Sequence, residues 1–445
     1  MKKTTTLCFM GVLPVFTLFA AENENNQWYD AISENSFFSQ TKLDLSTRNY
    51  WKYLKEDEAQ PTAVHQAWGQ SFTLNYQSGY FADFIGFDAT YNNVIKLGAS
   101  DYFSTRGLLY NDGPGMNKDY AHGFNKFSQR YVKIKMHYDD LLFDAKAGWQ
   151  ILKNFGVLTA SNRLTQNSYL GYTGILNYRN VTLNMGYVTS SINRDAPDKT
   201  QFTSIDRNSV VDHIFTSELK YTSANLKASY AYGEADNYMR RHIILLAYKP
   251  VEKLTLGSQL YGSYALTNYL AMPESRKEFN HHAWHYAFDA KWQEQKWSST
   301  LGIAYTQAPK DNAIGFYKRE MTRNMRGTFV SLTSAGSDYT RDGEIALTTV
   351  TDYRFTDDFT AGIQVNYGQF HYKNNTLHNG ELNLFGQWKP NDARLKNLSV
   401  FAMFGPGWSY KNINKTPTLD NNGRTQRSPS LSGEIVIEYK FGLLK

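Results

Sequence analysis

Residues 129–150 read QRYVKIKMHYDDLLFDAKAGWQ, and the stretch alternates twice. Val132, Ile134, Met136 and Tyr138 share one parity, and Tyr131, Lys133, Lys135 and His137 share the other. After the turn Asp139-Asp140, Phe143, Ala145, Ala147 and Trp149 alternate with Asp144, Lys146, Gly148 and Gln150. Successive side chains of a strand point to opposite faces, so each arm carries one apolar and one polar face. The pattern recurs along nearly the whole chain, and no helical segment is present to cover the apolar faces as a soluble sheet requires. A closed ring of strands needs no cover. It turns its apolar face to lipid and its charged face to water inside. The sequence therefore predicts an all-β fold, a transmembrane antiparallel β-barrel.

About eighteen such segments run from 42–54 to 431–443. The connections between them tend to alternate in length. Short ones include Gly79-Tyr80-Phe81, Asp140-Leu141, Arg179-Asn180 and Glu294-Gln295, and long ones Gly98–Phe127, Lys153–Asn167, Asn193–Val211 and Gln307–Asp342. Only the connections near Ala235 and Lys373–His378 are short where the alternation calls for long. Short periplasmic turns and long outer loops are the asymmetry of outer-membrane barrels, and an even strand number puts both chain ends in the periplasm.

Met1-Lys2-Lys3, the apolar run Leu7–Phe19 and Ala20-Ala21 read as a secretory signal peptide over 1–20. A polar periplasmic segment follows at 21–41, and the barrel occupies 42–445. The single cysteine, Cys8, lies in the leader, so the expected mature chain has neither a disulfide nor a thiolate metal site. A mean hydropathy of −0.53 argues against helical membrane spans. The 47 Lys and Arg against 41 Asp and Glu are too balanced and dispersed for a nucleic-acid binder. Aromatics reach 15%, which suits the girdles of a membrane barrel and the ring-lined pores of sugar channels.

Several spaced motifs carry a resemblance to a known family. Lys42–Lys52, KLDLSTRNYWK, is similar to the first-strand signature of the OprD-type outer-membrane porins. The likeness continues through Ala67–Phe72, Tyr76–Tyr80 and Ile85–Ala89, through Ser161–Gln166 without the family's proline, and through Ser337–Glu344, SDYTRDGE. The resemblance implies an eighteen-stranded barrel. Its outer loops, chiefly the third and seventh, fold inward and narrow the pore, and solutes cross passively. Members selective for carboxylates and basic amino acids carry a ladder of wall arginines. Arg48 and Arg163 match it. The inward register of the last two strands reads instead Ser399, Phe401, Met403 and Glu434, Val436, Glu438, Lys440. That loss, and the stretch Gly315–Tyr353, resemble the branch containing the chitoporins, which pass chitooligosaccharides. The chain also runs past the usual terminal aromatic through Gly442–Lys445.

The candidate pore-lining residues follow. Tyr131, Lys133, Lys135, His137 and Lys146 form a basic inner stripe, or else ordinary lumen charge paired with Asp144 and Glu438. Arg163 belongs to the third long loop. Arg319, Arg323 and Arg326 belong to the seventh, facing either the constriction or lipopolysaccharide phosphates at the rim. Asp342 and Glu344 bracket Gly343, as sugar-binding carboxylates or as parts of a turn. His281 and His285 lie roughly 13 Å apart on a strand, too far to share an ion. No GxSxG, P-loop or HExxH is present. The expectation is an outer-membrane porin rather than an enzyme, without cofactor or metal. Its solutes are small and hydrophilic, with chitooligosaccharides first, basic amino acids or other carboxylates as the alternative, and a structural or adhesive barrel as the alternative of another class. Expected partners are outer-membrane lipid, lipopolysaccharide and the barrel assembly machinery, with the chain a monomer or homotrimer.

Overall fold

The computed structural model describes residues 35–56, 63–101, 107–114, 117–332, 338–413 and 416–444. The expected leader at 1–20 lies outside them. Among the described residues eighteen long strands form one ring. They are Lys42–Glu56 (β1), Ala63–Gln77 (β2), Ile85–Ala99 (β3), Phe124–Tyr138 (β4), Leu141–Gln150 (β5), Ser168–Tyr178 (β6), Val181–Ile192 (β7), Ile214–Thr222 (β8) and Leu226–Ala235 (β9). The second half comprises Met239–Val251 (β10), Leu254–Ala265 (β11), His282–Gln293 (β12), Trp297–Gln307 (β13), Ile345–Arg354 (β14), Phe359–Tyr372 (β15), Asn375–Trp388 (β16), Leu398–Tyr410 (β17) and Arg427–Leu444 (β18). Each strand pairs antiparallel with its sequence neighbours, and β1 pairs with both β2 and β18, which closes the barrel.

Closure settles the parity of every wall residue. Arg48 lies between Ser71 and Glu438, all three facing inward, and Asn49 lies between Gln70 and Ile437, all three facing outward. The outer face exposes Leu74, Phe87, Leu219, Leu301, Leu347 and Leu384. The hairpin of β4 and β5 has the expected register, Val132 opposite Ala147 and Lys133 opposite Lys146. Trp149 has outward parity, opposite Arg130. It is buried under Arg130, whose guanidinium carbon lies 5.3 Å from the ring centroid.

The alternation predicts strands over 82–97, 236–248 and 395–409, and each begins three residues later, at Ile85, Met239 and Leu398. Ala82 and Asp83 have φ of 50° and 55°, and Asn237 has φ of 50°, so the chain is still turning ahead of the first two, and Leu398 N closes a turn onto Leu395 O at 2.7 Å ahead of the third. β18 continues beyond Phe441 and pairs Gly442 with Asp44 and Leu444 with Leu43 across a register shift. Ahead of β1, the single helical turn Ser36–Ser39 docks beneath the barrel. Gly79 N donates to Phe37 O at 2.9 Å and Ser36 Oγ to Tyr80 O at 2.5 Å.

We number the connections at the long-loop end L1 to L9; L3 spans 151–167, L4 193–213, L6 266–281 and L7 308–344. The largest apolar cluster lies inside the barrel, where alternation alone places polar side chains. Phe155, Val157 and Leu158 of L3, Phe202 of L4, Tyr269, Met272 and Phe279 of L6, and Tyr317, Met321 and Met325 of L7 pack on inward residues of β6 to β12 such as Tyr169, Ile243 and Tyr261. Along β1–β4 and β15–β18 smaller clusters pack Leu108, Leu109 and Leu164 on Tyr50 and Val94, and Ile314 on Phe370 and Tyr410, and the remaining lumen there is open.

β16 and β17 approach closely at one point of that open wall. Leu382 and Asn383 have no ladder partner where Gly405 and Pro406 face them, and a Cβ on Gly405 would sit 1.7 Å from Leu382 O. Gly405→Val is expected to destabilise the barrel by about 1–3 kcal/mol, the range for overpacking. Urea unfolding of vesicle-reconstituted protein measures it, and a wild-type midpoint would contradict the close approach.

Candidate functional site

L3 crosses the lumen as a strap tied at both ends. Near β8, Gly156 N donates to Glu218 Oε2 at 3.0 Å and Val157 N to Thr216 Oγ1 at 2.9 Å. Near β1 and β2, Leu164 O accepts from Ser71 Oγ at 2.9 Å, and Arg163 O accepts from Arg48. L7 lies against the strap. Thr159 N donates to Arg326 O at 2.9 Å, Thr328 N to Val157 O at 3.0 Å, and Arg326 N to the Tyr169 hydroxyl at 2.9 Å.

The open half of the lumen divides into two cavities on either side of the strap. The outer one, about 880 Å³, is bounded by β1, L3, L7 and β16–β18; the inner one, about 490 Å³, by β1–β4, L3 and β18. Asn162 lines both, so L3 is the partition. At the partition Arg48 holds three protein oxygens. Its Nη2 lies 2.5 Å from Glu438 Oε2, and its Nη1 lies 2.5 Å from Asn162 Oδ1 and bonds Arg163 O. Just outward, Tyr50 donates to Glu434 Oε2 at 2.8 Å, with Lys52 Nζ 3.7 Å from the same oxygen.

The outer cavity has two unlike sides. Its loop side presents Arg163, Arg194, Arg319 and Arg326, and its wall side presents Glu434, Glu381, Ser409, Ser428, Ser430 and Ser432. Most of the loop cations already hold protein oxygens. Arg319 pairs with Asp338, Arg326 Nη1 lies 2.8 Å from Glu320 Oε1, and Arg194 Nη1 donates to Ser161 Oγ at 2.8 Å. Burial, and next the charge of Arg163, lower Arg194 to about 10, which leaves it protonated at neutral pH.

Of the residues singled out from sequence, the structure brings Arg48, Arg163, Arg319 and Arg326 to these cavities. The others sit elsewhere. Lys133 Nζ is 2.7 Å from Asp88 Oδ1 and donates to Ser78 O at 2.7 Å, while Tyr131 donates to Asp88 Oδ2 at 2.7 Å. Lys146 Nζ stands 4.9 Å over the Tyr131 ring, and Lys135 pairs with Asp83. The partners of Lys133 and Lys135 are thus Asp88 and Asp83, not Asp144 and Glu438, because β3 pairs with β4 and sets Asp88 beside Lys133, and the turn 78–84 brings Asp83 to Lys135. His137 is exposed at the short-turn end of β4. Arg323 is exposed on L7, with its backbone N bonded to Thr203 O of L4 at 2.9 Å. Asp342 and Glu344 hold the exit of L7. Asp342 Oδ1 accepts from Ala308 N at 2.6 Å, and the fully buried Glu344 accepts from Arg341 N at 2.9 Å and pairs with its guanidinium at 3.1 Å. Burial raises the Glu344 pKa, and Arg341 opposes the shift.

Sequence reasoning missed Arg194, Glu381 and Arg241 as site residues. Arg241 has the inward parity of β10, and that parity was the available signal. It is 1% exposed; its Nη2 donates to Lys318 O at 2.6 Å and Ser263 Oγ at 2.9 Å, and its Nη1 bonds Arg319 O. Its guanidinium carbon lies 5.0 Å from the Tyr317 ring centroid. A wall arginine therefore fixes the backbone that carries Arg319.

A family model described as outer membrane porin, OprD family, matches residues 35–378. No protein of curated function matches the chain. Among solved structures, Acinetobacter baumannii OccAB2 aligns with a TM-score of 0.71 at 18% identity, covering 92% of this chain and 100% of that one. Pseudomonas aeruginosa OpdK, solved with vanillate, aligns at 0.71 and 15%, covering 91% and 100%. Pseudomonas aeruginosa OccD3 (OpdP) aligns at 0.69 and 15%, covering 92% and 93%. At these identities the likeness to the solved structures is one of fold.

Arg241→Met removes charged hydrogen bonds of about 1.5–3 kcal/mol each while keeping the buried stem. The expected result is a larger, noisier single-channel conductance and faster proteolysis within L7, with the barrel intact. Conductance and cleavage both at wild-type level would show that L7 is held without this clamp.

Proposed function

The chain belongs to the OprD family of outer membrane porins, and from that premise we propose a substrate-selective diffusion channel for short, hydroxyl-rich, uncharged solutes, chitooligosaccharides first among them. The observation that carries this reading is the prior engagement of the pore cations. Arg48 holds Glu438, Arg319 holds Asp338 and Arg326 holds Glu320. An incoming carboxylate would have to displace a protein carboxylate at each of these sites. A sugar meets no such competitor. Ser409, Ser428, Ser430 and Ser432 offer donors and acceptors along one wall, and Met403 gives an apolar surface beside them. Solutes move down their gradient, since the proposal invokes only diffusion through a narrowed lumen. The leader at 1–20 and the periplasmic position of 21–41 belong to the same proposal.

A second reading has a specific observation behind it. Arg163 and Arg194 face Glu434 and Glu381 across one cavity, an arrangement that suits carboxylates or the two ends of a basic amino acid. OpdK was solved with vanillate, a carboxylate.

Planar-bilayer recording separates the readings. Chitooligosaccharides are expected to block the current at low concentration and basic amino acids to have little effect; the reverse would select the second reading, and no unitary conductance would leave a structural barrel. Arg163→Ala is expected to raise conductance and shift the reversal potential toward cation selectivity in a salt gradient. Unchanged values would remove Arg163 from the pore lining. Because L3 and L7 occupy half of the lumen, a large dextran is expected to be excluded in liposome swelling.

A further inference from the structure

A third cavity, of about 140 Å³, lies between L3, L4 and L7. Ser161, Arg194 and Arg326 line both it and the outer cavity, so it is a side chamber of the lumen. Asn193, Asp195 and Glu320 contribute to its polar wall. The segments around it are tied to one another. Arg194 Nη1 donates to Ser161 Oγ at 2.8 Å, and Arg194 O accepts from Thr165 Oγ1. The Nε–Nη2 edge of the same guanidinium lies against Gly107, where a Cβ would come within 2.6 Å of Nη2. Asn193 Nδ2 donates to Asn324 Oδ1 of L7 at 3.3 Å. Lys126 of β4 joins L3 to L4, its Nζ donating to Gln166 O at 3.0 Å and to Asn193 O at 2.7 Å.

Charge does not balance at this junction. Its cations are Lys126, Arg194, Arg326 and Arg163, whose charge bears on both Arg194 and Arg326. Its carboxylates are Asp195 and Glu320, and Glu320 is taken by Arg326 at 2.8 Å. Among the described residues Asp195 makes no ion pair, and neither Lys126 nor Arg194 has a carboxylate within ion-pair distance. Lys126 is 4% exposed and Arg194 half-buried, and the bonds described above give them only neutral oxygens. A charge withdrawn from water without a counter-charge is costly. A guanidinium is met best by an oxyanion, which accepts from its planar fork, whereas a halide offers a single point of charge.

We propose that this side chamber binds one small oxyanion of the phosphate or sulfate class, held between Arg194 of L4 and Arg326 of L7 beside Ser161 of L3. The ligand supplies the negative charge that the junction lacks and ties the strap to both neighbouring loops. Because the chamber shares its lining with the outer cavity, the oxyanion arrives dissolved in the lumen and not on a lipid. It is a resident ligand, so the inference holds whichever solute crosses the channel.

Isothermal titration calorimetry of the detergent-solubilised full chain with sodium phosphate tests it, at an ionic strength held constant with sodium chloride. The expected result is saturable binding of a single phosphate per chain, competed by sulfate and unaffected by lipopolysaccharide micelles. Arg194→Gln is expected to weaken binding about tenfold or more, the loss for a charge-assisted hydrogen bond. Asp195→Asn removes a carboxylate from the chamber wall and is expected to tighten binding roughly threefold. In planar bilayers phosphate is expected to lower the open-channel current noise of the wild type. Overturning results are no saturable heat, a heat that chloride reproduces, displacement by lipopolysaccharide, unchanged noise, or an unchanged affinity in Arg194→Gln. Where Arg194→Gln fails to assemble, Asp195→Asn decides alone, and an unchanged or weaker affinity there overturns the proposal.

Discussion

A strand in hydrocarbon has no water for its amide and carbonyl groups, so its only sufficient partner is another strand on each side. Everything else in this molecule follows from that requirement. The first and last strands must meet, and β1 and β18 do so from Leu43 to Glu56. Once they meet, every wall residue is assigned to lipid or lumen, and the long connections can run only over the ends. A ring of eighteen strands is also too wide for wall side chains to fill. Discrimination between solutes therefore cannot come from the wall alone. It has to come from loops folded inward, and those loops need their own reasons to stay.

Two kinds of interaction supply them. Apolar burial fills one side, where Phe155, Val157, Phe202, Phe279 and Tyr317 pack against inward aromatics of β6 to β12. Directional bonds from the wall then set the position of the loop backbone: Glu218 and Thr216 at one end of L3, Ser71 and Arg48 at the other, and Arg241 beneath L7. Most of these wall groups bond loop peptide groups, not loop side chains. The loop side chains that remain, Arg163 and Arg319 among them, are thereby free to differ without loss of the loop path.

The barrel was legible in the sequence because its signal is local. Alternation at Val132–Tyr138 and Phe143–Trp149 reports wall faces residue by residue, and unequal connections report the two ends. The last two strands were legible to the same depth: the inward parity of Met403, Glu434 and Glu438 places them in the lumen, and Glu438 meets Arg48 there. The pore itself was legible only in part, because it is made by contacts between distant segments. Nothing in the spacing of Lys133 and Lys135 announces that β3 sets Asp88, and the turn 78–84 Asp83, beside them. The sequence SDYTRDGE offers Asp342 and Glu344 as ligands, yet both serve the exit of L7 because Arg341 lies within the same turn. The apolar residues of L3, L6 and L7 carry no period at all, so an interior core could not be read from alternation.

That core decides where the channel runs. It occupies the side of the lumen bounded by β6–β12, so the path is pushed against β1 and β15–β18 in its outer part and β1–β4 in its inner part. Of the residues that stand where the resemblance would place an arginine ladder, Met403 and Glu434 thus line the outer cavity and Glu438 the inner one. Had the loops packed on the opposite wall, those positions would be buried and their chemistry silent. The meaning of a wall residue in such a barrel is set jointly by its parity and by which half of the ring the loops have filled. A basic residue on the filled side, such as Arg241, fixes the backbone of L7, whereas Arg48 on the open side ties down the strap that parts the two cavities.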